Sequence, residues 1–76
     1  MPYATVEELP DPVRRHLPPH AQEIYRAAFN SAWAQYARPT ERRRGGSREE
    51  VAHRVAWAAV KKVYEKRGED WVPREG

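Results

Sequence analysis

Four aromatic residues, Tyr25, Phe29, Trp33 and Tyr36, recur at i, i+4, i+8 and i+11. At ~100° per residue they fall within roughly 80° of arc on an α-helix. Ala21, Ala28 and Ala32 lie on the same side, while Glu23, Arg26 and Asn30 point away. A helix with such a stripe must bury it against something. The spacing predicts a long helix from Pro19 or His20 to about Ala37, ended by Pro39.

The rest of the 76-residue chain has little to build that cover from, and one small domain is all it allows. A domain of this size buries only ~60% of its unfolded surface. The chain has no cysteine. Disulfides, zinc knuckles, iron–sulfur clusters and thiol nucleophiles are therefore excluded, and stability must come from packing. Three Trp, four Tyr and one Phe supply the material. The longest apolar run, from Val55 to Val60, is far short of the ~20 residues that span a bilayer. With no signal or lipidation pattern, the expectation is a cytoplasmic protein without membrane insertion.

A second long helix is expected from Arg48 to about Arg67. Ser47-Arg-Glu-Glu50 reads as its capping box and Gly68 as its C-cap, with Lys66 and Arg67 in the last turn. Ala52, Val55, Ala56, Ala59 and Val63 make a face of small residues, and His53, Trp57, Val60 and Tyr64 a second face beside it. The small face suits close packing against the aromatic stripe. The second face needs the chain ends, Tyr3, Val6 and Leu9 with Trp71 and Val72, and the two ends can meet there as a short pair of strands. Prolines at 2, 10, 12, 18 and 19 limit the first quarter to short elements. Thr5-Val-Glu-Glu8 reads as a capping box, and Asp11 as the N-cap of a short helix from Pro12 to about Leu17. The fold class is thus mainly α: two long antiparallel helices preceded by one or two short ones.

Charge is uneven. Residues 1–37 carry a net −1, residues 38–67 a net +6 and residues 68–76 a net −2. Arg38, Arg42, Arg43, Arg44 and Arg48 fall within eleven residues, four of them in a stretch with no apolar residue and with Gly45-Gly46. Residues 38–47 read as an exposed basic loop. Arginines beside a helix N-terminus suit phosphate, through bidentate contacts and free backbone amides. Lys61 and Lys62 lie further along the same helix. Arg42, Arg43, Arg44, Arg48, Lys61 and Lys62 are the candidate contacts for a protein partner or a polyanion. No aromatic residue flanks the arginine run, so base stacking does not support a nucleic-acid reading. The plain alternative is a solvated loop that keeps the domain soluble.

No catalytic set emerges. Glu7, Glu8, Asp11, Glu49 and Glu50 stand at expected helix starts, where capping explains them. Ser31 and Ser47 lack a base at recognisable spacing. His16 and His20 are four apart, but Pro18 and Pro19 prevent one helix from presenting both. With His53 bonded inside the second face, no metal site and no cofactor are expected. Asn30 in mid-helix has two readings, one outward in solvent and one with its amide bonded to a neighbouring loop or a partner.

Several blocks, in order, resemble the ChaB family: Met1-Pro-Tyr3, Leu17-Pro-Pro-His-Ala-Gln22, Ala28-Phe-Asn-Ser-Ala-Trp33, Ser47-Arg-Glu-Glu50, Val55-Ala-Trp-Ala-Ala-Val-Lys61, Tyr64 and Trp71. The resemblance implies a small, mainly helical fold with minor strand content. It also implies regulation of cation transport in association with a cation/proton antiporter, whose cytoplasmic region is then the expected partner. It carries no catalytic residues. The competing reading is an accessory protein that binds nucleic acid through the arginine-rich loop.

Overall fold

The computed structural model describes residues 2–38 and 47–74. A 3-10 turn, Val6–Glu8, precedes helix α1 (Asp11–His16), helix α2 (Pro19–Gln35), helix α3 (Arg48–Val63) and strands β1 (Tyr64–Arg67) and β2 (Asp70–Pro73). The mainly helical expectation holds, with a two-stranded sheet added at its end.

Helices α2 and α3 run antiparallel. His20, at the start of α2, meets Tyr64 just past the end of α3, and Trp33, near the end of α2, meets Arg48 at the start of α3. Ala21, Tyr25 and Phe29 form one i, i+4 ridge; Ala52, Ala56 and Val60 form the other. All six are fully buried, and large side chains on one helix face alanines on the other. Leu9, Val13, Leu17 and Tyr64 close the core.

This ridge draws on both expected faces of α3. Val63, placed on the small face by spacing, is 42% exposed because the helix ends there. Trp57 is half-buried, with its ring edge-on to Tyr25 and packed on Trp71. Tyr3 covers Phe29 instead.

The strand pair does not join the two chain ends. It is a hairpin, with Tyr64 opposite Pro73 and Arg67 opposite Asp70. The second helix therefore stops four residues before the expected end. Gly68 has the expected positive φ, 61°, but as the first residue of the hairpin turn and not as a helix C-cap. A left-handed glycine serves both roles, and only tertiary packing separates them. Here the turn brings Trp71 back onto Trp57. It also lets Arg74 cap α3, its backbone N–H donating to the Val63 carbonyl and its Nε to that of Lys61. With the Tyr64 N–H on the Val60 carbonyl, three of the last four helix carbonyls are satisfied.

The caps divide in the same way. Ser47 Oγ accepts from the Glu50 N–H at 3.0 Å, as expected. Thr5 makes no side-chain cap, although Glu8 reaches back to the Ala4 N–H. Asp11 lies inside α1, with Pro10 at the N-cap, and pairs with Arg14. Proline fixes φ at the helix start, so the boundary moves one residue without a side-chain bond.

Candidate functional site

Among the described residues three features carry polar chemistry: the cationic side of α3, a polar seam along the α2–α3 contact, and a clamp of Arg26 and Asn30 on the Tyr3 backbone. Arg54, Lys61 and Lys62 are exposed on α3, as is Arg38 beyond the end of α2. Arg42, Arg43 and Arg44 lie outside the described residues. Arg48 is engaged within the fold. Its Nε donates to the Trp33 carbonyl at 2.7 Å and its guanidinium lies 4.1 Å over the Trp33 ring. That bond takes up one of the unpaired carbonyls in the last turn of α2. Arg48 therefore ties the helix ends together at the base of the arginine-rich segment.

The polar seam starts at Tyr25, whose hydroxyl is hydrogen-bonded to His53 Nδ1. The Glu49 carboxylate stands 3.7 Å from His53 Nε2. This favours the tautomer with its proton on Nε2 and Nδ1 free to accept from the phenol. Burial, with a smaller contribution from Tyr3, pushes the Tyr25 hydroxyl well above its ordinary range. Burial also raises the Tyr3 hydroxyl, helped by the nearby Glu49 charge. A second tyrosine–histidine contact, Tyr64 with His20 Nδ1 at 3.1 Å, lies at the other end of the seam. Two of the three histidines are therefore bonded to core tyrosines, and His16 is exposed. Among the described residues no three His, Asp or Glu side chains converge as metal ligands would.

Asn30 and Arg26 do not point away. Asn30 Oδ1 accepts from the Tyr3 N–H and its Nδ2 donates to the Tyr3 carbonyl, both at 2.8 Å. Arg26 Nη1 reaches the Tyr3 and Ala4 carbonyls at 3.4 Å while its Nε pairs with Glu23. Of the two readings of Asn30, the bond to a neighbouring segment is the one observed. Helical spacing put both residues on the outer side of α2. The only sequence signal for the clamp was a poor helix former in mid-helix.

The ChaB family model matches residues 9–74. An Escherichia coli K12 protein named "Putative cation transport regulator ChaB" is 57% identical over 70 residues, covering 92% of this chain and 92% of that protein. A protein of the same name from Shigella flexneri is equally similar. An NMR solution structure under that name matches with a TM-score of 0.81 and 52% identity, over 97% of this chain and 100% of the other.

Proposed function

The chain belongs to the ChaB family, and we propose from that premise that it is a non-catalytic regulator of cation transport that acts by docking. Its contact residues are Lys61 and Lys62 on the exposed side of α3, with Arg42, Arg43 and Arg44 as further contacts. The partner is the cytoplasmic region of a cation/proton antiporter, so the protein works in the cytoplasm.

The observation that supports this reading most is the division of labour along α3. Its buried ridge faces α2, while Arg54, Lys61 and Lys62 are exposed. Exposed cations on a rigid helix set orientation and association rate with an acidic partner. The matched relatives and the matched solved structure carry a regulator's name, in keeping with a binding protein.

Capture from the native host, with and without nuclease, tests the reading. Docking on a transporter expects retention of that transporter after nuclease treatment, and its loss in a Lys61→Glu/Lys62→Glu chain. Retention that depends on intact nucleic acid, with steep loss of affinity for duplex DNA as salt rises, would instead support the accessory nucleic-acid reading.

A further inference from the structure

The Asn30 clamp has the chemistry of a peptide-binding site. A carboxamide that accepts from a residue's N–H and donates to the same residue's carbonyl does what a neighbouring strand does in a sheet. It selects an extended backbone and ignores the sequence. Selectivity comes from the ring beside it: Tyr3 packs on Phe29 with centroids 4.7 Å apart. Arg26 adds longer contacts to two successive carbonyls. Pro2, Ala4 and Thr5 on either side are exposed, so within residues 2–5 Tyr3 alone packs its side chain on the core.

We propose that Arg26, Phe29 and Asn30 form a recognition site for an extended segment of a partner protein, carrying one aromatic residue between small neighbours. Tyr3 fills this site in cis as a displaceable strap. The observed contacts are made by one backbone residue and one ring, and none requires that they belong to the same chain. The site uses none of the cations of α3 and stands independently of the docking proposed above. The tethered strap competes at a millimolar effective concentration, which keeps the site closed to weak or ringless segments. A partner segment sees its affinity reduced by the fraction of time the strap is away.

The probe is an acetylated, amidated tetrapeptide copying residues 2–5, titrated into the full ¹⁵N-labelled chain. In a Tyr3→Gly chain the Asn30 side-chain amide signals should move saturably. The same titration should be at least about tenfold weaker in the wild type, where the tethered segment holds the site. Adding Asn30→Ala to Tyr3→Gly should abolish the shifts, as should replacing the peptide's tyrosine by alanine. Absence of saturable shifts at tens of millimolar, or shifts indifferent to Asn30 or to the ring, would overturn the proposal. Should Tyr3→Gly not fold, amide exchange in the wild type decides. A displaceable strap expects the Tyr3 N–H to exchange by local opening, far faster than the core amides of Phe29 and Ala56. Exchange of Tyr3 only with global unfolding would overturn it.

Discussion

The Arg48 guanidinium carbon lies over the Trp33 ring, 4.1 Å from its centroid, while its Nε donates to the Trp33 backbone carbonyl at 2.7 Å. One side chain thus closes the end of α2 and fixes the start of α3 against it. A charged hydrogen bond and a cation–π contact together place the cost of Arg48→Ala at about 1–3 kcal/mol. Arg48→Lys should recover little of this, because an ammonium cannot stack and donate sideways at once. Urea denaturation of the three chains measures both values, and full rescue by lysine would contradict the stacked geometry.

The core makes a sharper demand. Phe29 is fully buried, so Phe29→Ala should cost on the order of 3–5 kcal/mol. In so small a domain that approaches the whole of its stability. Trp57 retains solvent contact, and Trp57→Ala should fall below about 3 kcal/mol. Thermal melts followed by circular dichroism should rank the two in that order. The reverse order would show that the hairpin and not the ridge holds the domain together.

Tyr25 gives a pH dependence. Its hydroxyl is raised above the ordinary value of 10.0, first by burial and then by Tyr3. Below pH 10 the phenol is protonated in both folded and unfolded chains, and its contribution is fully present. Above pH 10 the unfolded chain releases that proton and the folded chain does not. Stability therefore falls as pH rises, by up to about 1.4 kcal/mol per pH unit for this group. Tyrosinate absorbance should show at least one of the four tyrosines ionising only as helix signal is lost. Titration of all four near pH 10 with the helices intact would contradict the buried placement.

Gly68 separates backbone strain from crowding. Its φ is 61°, yet a Cβ built there meets nothing within 4 Å. Gly68→Ala should cost about 1–2 kcal/mol from left-handed strain alone, and Gly68→Asn clearly less. Equal costs for the two substitutions would point to a different turn.

These positions show what the sequence made legible. The stripe of Tyr25 and Phe29 and the alanines facing it were readable because helical periodicity alone sets which side is buried. The hairpin was not: Gly68 and the flanking Lys66 and Arg67 are equally good signals for a helix end. What decides is the packing of Trp71 on Trp57, a contact between residues fourteen apart. The same limit hid the Asn30 clamp, since periodicity assigns Asn30 a side of the helix and says nothing of the segment that crosses it. Of the candidate cations, Lys61 and Lys62 are exposed, whereas the placement of Arg48 on Trp33 depends on how two helix ends meet.

The arginine-rich segment is open to a direct test. Replacing Arg42, Arg43 and Arg44 by Ala should leave the melt nearly unchanged, since the segment contributes no apolar side chain. If these residues contact duplex DNA phosphates, the log–log salt slope should fall by up to roughly 2.7, at ~0.9 per contact. An unchanged slope would remove the segment from any polyanion footprint.

The most direct test of docking on a transporter is cation-driven proton exchange in inside-out membrane vesicles from the native host, with purified protein added. The wild type should change the exchange rate saturably. A Lys61→Glu/Lys62→Glu chain with an unaltered melt should leave the rate where it stood without added protein. A wild type without effect, or a charge-reversed chain as effective as the wild type, would contradict regulation through the cationic side of α3.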